Sequence, residues 1–110
     1  LIVKTSGGQL ISRAGVNQEN GLDLFELDAR TIVQTHRRNE SITGLYHSHC
    51  DGPAEMSSTD IRALVADGVP LWPGVDIFIA SVKGGHCVCV QRFVWSDLEK
   101  SYQANERHLP

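Results

Sequence analysis

The sequence predicts a single α/β (α+β) domain in which one mixed β-sheet is flanked by two helices. Short β-prone runs alternate with two helix-like segments, and two Gly-Gly pairs mark hairpin turns. The 110 residues are 41% hydrophobic and 21% charged, as in an ordinary globular domain. The chain has no repeat and no low-complexity stretch. We therefore expect one domain that spans residues 1–110.

The N-terminal half predicts a hairpin, a short strand, a helix and a longer strand. Turn residues Gly7 and Gly8 separate the first two strands. Asp28 can cap the helix, and basic residues in its last turn suit the helix dipole. The predicted segments are strands over residues 1–3, 9–13, 24–27 and 41–49, a loop over residues 14–22, and a helix from residue 28 to about residue 38.

The C-terminal half predicts a second helix followed by a hairpin. A polar loop over residues 50–56 leads into a helix over about residues 58–66, which Gly68 ends. After the corner Trp72-Pro73-Gly74, two β-rich runs over residues 75–82 and 86–94 surround Gly84-Gly85. We expect the polar tail from Ser96 to begin as a helix and to fray at its end.

Charge and hydropathy exclude two classes of partner. The formal net charge is −3 and the basic residues are scattered, which argues against nucleic acid. No apolar run approaches the roughly 20 residues that span a bilayer. Cys50, Cys87 and Cys89 are odd in number, and the last two share one face of a strand without disulfide geometry. Reduced thiols and the lack of a signal-peptide pattern predict a cytoplasmic protein.

His47, His49 and Asp60 form the candidate metal site. Histidines at positions i and i+2 of a strand point to the same face, so both imidazoles can reach one ion. Asp60, in the first turn of the next helix, can supply a carboxylate oxygen. Three protein ligands leave a fourth position open, which is typical of catalytic zinc, and zinc activates water for attack on a carbonyl. A His-x-His pair alone is more often a surface feature of a strand.

Ser57 has two interpretations that do not exclude each other. It can cap the second helix in a capping box with Asp60. Its hydroxyl can also donate to the oxyanion that forms when water attacks an amide. Trp72 and Trp95 are expected to anchor the core or a sheet edge, and His36, His86 and His108 to face solvent. Of Cys87 and Cys89, one or both should be buried.

The order His-x-His, seven residues, Ser, two residues, Asp resembles the signature of the JAMM (MPN-plus) metalloprotease family, and His47, His49, Ser57 and Asp60 fall on it. The resemblance includes Gly44-Leu45-Tyr46 and the strand over residues 75–82, and it is closest to small prokaryotic or phage-type members. It implies a JAMM/MPN-like fold with cytidine-deaminase-like layering. It also implies a zinc isopeptidase acting at the C-terminal tail of ubiquitin-like or sulfur-carrier proteins.

By this resemblance, His47, His49 and Asp60 bind zinc and Ser57 steadies the tetrahedral intermediate. The chain departs from the family at Cys50, where proline is usual. Cys50 could be an extra ligand, an oxidation-sensitive switch or a loop residue, and the complete three-ligand set favours the last. The family's general-base glutamate should lie just upstream of Leu1, so the domain is expected to be N-terminally truncated. Glu55 lies near the site only in sequence, and we expect it to be solvated.

Two alternative functions follow from the same pattern. The domain could be a non-catalytic MPN-like binding module, which the lack of the glutamate favours and the intact histidines oppose. It could also be the peptidase domain of a phage tail assembly protein. The sequence leaves open the substrate and the oligomeric state, with a homodimer among the options, and whether a chain without the glutamate is active.

Overall fold

The computed structural model describes residues 2–12 and 29–109, which form two helices, one large β-sheet and one small β-ribbon. The mixed α+β class is confirmed. In chain order, the elements are β1 (Ile2–Lys4), β2 (Leu10–Ser12), α1 (Ala29–Arg37), β3 (Ser41–Cys50), α2 (Ser58–Leu64), β4 (Val65–Ala66), β5 (Val69–Pro70), β6 (Asp76–Lys83), β7 (His86–Ser96) and β8 (Ser101–His108).

The large sheet has six strands in the order β2-β1-β3-β6-β7-β8. Its pairs are antiparallel except β3 and β6, which run parallel. A parallel pair needs a crossover connection, and α2 with the β4-β5 ribbon forms it. The loop and helix after β3 therefore connect two strands that are neighbours at the centre of the sheet.

One face of the central strands carries the buried core. Leu45 lies opposite Ile77, and His47 lies opposite Ile79, in the parallel register. Ile77 and Ile79 are fully buried, and Leu64 of α2 packs with them. Because alternate residues of a strand share a face, His47 and His49 continue the buried row that begins at Leu45.

Several predicted elements are confirmed. The N-terminal hairpin is present, with Gly8 at φ 86° in its turn, and α1 ends at Arg37, one residue before its predicted end. Gly84 and Gly85, at φ 56° and 78°, form the turn between β6 and β7. Both lie in the left-handed region, which glycine adopts without steric cost.

The second helix is shorter than predicted, and the fold has a second small sheet. Val65 is extended, at φ −130° and ψ 132°, so α2 ends at Leu64 rather than at residue 66. Asp67 and Gly68, at φ 51° and 73°, form the turn between β4 and β5. Asp-Gly is a preferred sequence for a two-residue hairpin turn, and here it overrides the helical pattern.

The predicted helix after Ser96 is wrong. The chain turns at residues 97–100, with Lys100 at φ 55°, and returns as strand β8. β8 pairs with β7, and Tyr102 lies edge-on to Trp95 with ring centroids 5.2 Å apart. This polar segment has few apolar side chains to bury. It forms a strand because pairing with β7 satisfies its backbone hydrogen-bonding groups.

The predicted strand over residues 24–27, the loop over residues 14–22 and the Asp28 cap lie outside the described residues. Within residues 2–12 and 29–109, neither helix has the length and apolar character needed to cross a membrane.

Candidate metal centre

Strand β3 presents the two histidines on the less exposed side of the sheet. His47 and His49 are part-buried, with side chains 15% and 19% exposed. Tyr46, Ser48 and Cys50, which alternate with them, are exposed. The period of two along a strand produces this division, as the sequence predicts.

Asp60 is delivered to the histidines by the start of α2. Ser57 is the N-cap: its Oγ accepts a hydrogen bond from the Asp60 backbone N–H at 3.1 Å, and the Ser57 N–H donates to Asp60 Oδ2 at 2.9 Å. Both halves of the predicted capping box are therefore formed. The hydrogen bond from the Ser57 N–H directs the Asp60 carboxylate toward the start of the helix. Asp60 is 2% exposed there.

The three side chains converge. The Nε2 atoms of His47 and His49 are 3.1 Å apart. His47 Nε2 lies 3.2 Å from Asp60 Oδ1, and His49 Nε2 lies 3.1 Å from Asp60 Oδ2. Among the His, Cys, Asp and Glu residues in the described part of the chain, these three have side chains close enough together to hold a metal ion. The residues predicted as ligands are thus brought together.

The spacing of these atoms fits one face of a tetrahedral metal site. Zinc bonds of about 2.0–2.1 Å at tetrahedral angles place neighbouring ligand atoms about 3.3 Å apart. The distances from His47 Nε2 to His49 Nε2 and to Asp60 Oδ1, 3.1 and 3.2 Å, are close to this value. Two imidazoles and one carboxylate could therefore hold a single cation.

A hydrogen bond orients the imidazole of His49. Its Nδ1 lies 3.0 Å from the Pro53 carbonyl oxygen. A carbonyl oxygen only accepts, so Nδ1 donates this hydrogen bond, and Nε2 is the ring nitrogen that faces Asp60 and His47. The loop that follows β3 therefore orients the second histidine.

Asp60 remains ionised over the range in which proteins are normally folded. Burial alone would raise the pKa of Asp60. Hydrogen bonds from His47 and from the Ser57 backbone, and the positive charge of protonated His47, outweigh burial and lower the pKa to about 2. An ionised carboxylate beside two imidazoles could hold a divalent cation.

The Ser57 hydroxyl is an acceptor in the capping box and can also act as a donor. Its oxygen accepts in the capping box, and a hydroxyl has one donor in addition to its acceptor positions. The residue is exposed. It lies at the N-cap of α2, as its predicted capping role requires.

The remaining predicted residues lie outside the cluster. Cys50 and Glu55 are exposed. His36, His86 and His108 are exposed as expected, and Cys89 is buried while Cys87 is not. All three cysteines are free thiols. Trp72 packs against the core, and Trp95 donates from Nε1 to Asp97.

Ser81 of β6 is a polar residue at the site that the sequence did not indicate. It is 2% exposed, lies opposite His49 in the parallel register, and donates from Oγ to the Gly52 carbonyl oxygen at 2.5 Å. One signal was available: Ser81 follows the apolar run Ile77-Phe78-Ile79-Ala80, and a buried hydroxyl needs a partner.

Comparison with known proteins supports the fold. No protein-family model and no curated protein matches the sequence. A solution structure of a protein from Salinibacter ruber is similar, with a TM-score of 0.60 and 21% sequence identity. The match covers 96% of this chain and 72% of that chain. At this identity the likeness shows the fold alone.

Proposed function

We propose that this chain is a zinc-dependent metallopeptidase domain of the JAMM (MPN-plus) type, with the JAMM/MPN-like layering of sheet and helices. Its substrate would be the (iso)peptide bond at the C-terminal tail of a ubiquitin-like or sulfur-carrier protein. The observation that carries the proposal is the convergence of His47, His49 and Asp60 within metal-ligand spacing, with Ser57 tied to Asp60 in one capping box.

The donor set supports zinc over harder cations. Magnesium and calcium prefer sites built of oxygen ligands, whereas two imidazoles and one carboxylate are a common set for catalytic zinc. Bound zinc supplies a Lewis acid and activates water. His47, His49 and Asp60 would hold the ion, and the Ser57 hydroxyl would donate to the negative charge that develops on the substrate carbonyl oxygen.

The general base of the proposed enzyme comes from the resemblance alone, which predicts a glutamate upstream of Leu1. Such a glutamate would take a proton from water and pass it to the leaving amine.

The proposal also includes a reducing compartment such as the cytoplasm as the place of action. The three free thiols support it, because exposed thiols such as Cys50 and Cys87 persist where the surroundings keep them reduced.

The first test is metal binding. Protein purified without chelator is analysed for bound metals, and the affinity for zinc is measured by competition with a chromophoric chelator. We expect one zinc ion per chain, and its loss in His47→Ala and Asp60→Asn. His86→Ala, which changes an exposed histidine outside the site, is the matched control. A wild-type chain that binds no zinc would refute the proposal.

The second test is hydrolysis. A chain extended upstream of Leu1 to include the predicted glutamate is assayed on a ubiquitin-like protein with a peptide fused to its C-terminal tail. We expect zinc-dependent cleavage that chelation abolishes and that a Glu→Gln change at the upstream position slows strongly. Zinc binding without cleavage would instead favour a non-catalytic binding module. Equal rates with glutamate and glutamine would refute the assigned base.

A further inference from the structure

The loop after β3 is fastened to β6 at two adjacent residues. Ser81 Oγ donates to the Gly52 carbonyl oxygen, and the Asp51 N–H donates to the Val82 carbonyl oxygen at 2.7 Å. Ser81 is 2% exposed, so its hydrogen bond is formed away from bulk solvent. The loop therefore leaves β3 in a fixed direction, set by the neighbouring strand.

The fastened loop lies directly against His49. A methyl group added at Gly52 would lie 3.7 Å from His49 Cβ, which is ordinary van der Waals contact, so Gly52 is a near neighbour of this histidine. The next residue, Pro53, places its carbonyl oxygen 3.0 Å from His49 Nδ1. Gly52 is thus held by Ser81 on one side, and the peptide that follows it orients the imidazole.

We propose that Ser81 is a positioning residue for the metal site, acting through Gly52 and Pro53 to fix the tautomer and direction of His49. The expected consequence, tighter zinc binding, rests on the proposed function. The mechanism does not rest on it, because the hydrogen bonds from Ser81 to Gly52 and between His49 Nδ1 and Pro53 are formed in the structure without metal. Partners that orient metal-ligating histidines typically change metal affinity by 10- to 100-fold when they are removed.

The variants separate the hydroxyl from the volume of the side chain. Ser81→Ala removes the hydrogen bond to the Gly52 carbonyl oxygen. Ser81→Thr keeps a hydroxyl at the same place. Ser96→Ala is the control, because Ser96 Oγ also bonds a loop backbone group, the Glu99 N–H, in a turn distant in sequence from the metal ligands. Circular dichroism and thermal melting establish that each variant is folded.

Two measurements test the inference. Nitrogen NMR of the imidazole side chains in the metal-free protein reports the tautomer of His49. Competition titration reports zinc affinity. For Ser81→Ala we expect a shift of His49 away from the Nδ1–H form and a 10- to 100-fold weaker zinc affinity. Ser81→Thr and Ser96→Ala should resemble the wild type in both measurements. If Ser81→Ala is too unstable to assay, Ser81→Cys, a near-isosteric weak donor, should show the same two changes in smaller degree.

The outcomes distinguish this inference from the proposed function. An unchanged tautomer in Ser81→Ala overturns the inference, even if zinc affinity falls, because the loss would then be a general structural effect. An unchanged zinc affinity also overturns it when the wild type binds zinc. If the wild type binds no zinc but the His49 tautomer moves as expected, the positioning role stands and the proposed function fails.

Discussion

At the scale of single residues, both oxygens of the Asp60 carboxylate have partners. Oδ1 faces His47, and Oδ2 faces His49 while it accepts the Ser57 N–H. One side chain therefore takes part in the cap of α2 and in the candidate ligand set. Replacing it changes the stability of α2 and the metal site together, so experiments on Asp60 need a readout for each.

The metal-free protein should lose stability in acid through Asp60. Its pKa is about 2 in the folded chain, below the ordinary 3.8, so the unfolded state binds more protons as the pH falls. The lowered pKa of Asp60 contributes about 2 kcal/mol to the free energy of unfolding. This contribution is present above about pH 4 and is lost as the pH falls toward 2. The free energy of unfolding, measured with denaturant at about pH 5 and about pH 3, should fall less between these two pH values for Asp60→Asn than for the wild type. Equal losses would contradict this assignment.

Substitutions at Ser57 should separate helix capping from catalysis. Glycine is a tolerated N-cap, so Ser57→Gly should lower the free energy of unfolding by only a few tenths of a kcal/mol, against about 1 kcal/mol for Ser57→Ala. Both remove the hydroxyl, and each should reduce kcat by roughly 100- to 1000-fold if Ser57 stabilises the oxyanion. Ser57→Thr keeps cap and hydroxyl and is the control. A rate that follows stability across the series would assign Ser57 to capping alone.

At the scale of elements, Leu64 is the buried apolar side chain that packs α2 into the core. Leu64 is 1% exposed in the core, whereas Ile61 on the same helix is 47% exposed. Asp60 lies one turn before Leu64, so the position of the carboxylate depends on how Leu64 packs.

Leu64→Ala should therefore destabilise the fold and weaken the metal site. We expect a loss of about 2–5 kcal/mol in unfolding free energy. Zinc affinity should also fall, because α2 can then shift relative to β3. Ile61→Ala, the matched change on the exposed side, should alter stability by less than about 0.5 kcal/mol and leave zinc affinity unchanged. Chemical denaturation and zinc competition measure the two quantities, and similar values for both variants would show that α2 is not anchored through Leu64.

The sequence predicted the elements whose signals are local. The ligand positions follow from the period of β3 and from the Ser57 capping box, both of which operate within a few residues. β8 was missed because Ser101–His108 has no apolar alternation, and its strand structure comes from pairing with β7. Ser81 was missed because its role depends on the parallel register between β3 and β6, which no local pattern encodes.

At the scale of the whole molecule, metal binding should stabilise the fold. The ligands come from β3 and α2, two elements that separate when the chain unfolds. Zinc at about 100 times its Kd would add about 2.7 kcal/mol, which raises the melting temperature of a chain of this size by roughly 10 °C. The double variant His47→Ala with His49→Ala should show no rise. Thermal melting with and without chelator measures the effect, and an equal rise in the double variant would place the zinc elsewhere.

The crossover between β3 and β6 sets an order for assembly. His47, His49 and Asp60 lie on one short stretch of chain, so closing the loop between them has a small entropic cost and can happen early in folding. Ser81 joins them only when β6 docks in parallel beside β3, a slower event because its contacts are distant in sequence. Leu64, which sets the position of Asp60, also packs on Ile77 and Ile79 of β6. A refolding chain would thus bring its candidate ligands near one another early but place Asp60 and His49 only when β6 docks, and the rise in metal affinity would report the closure of the sheet.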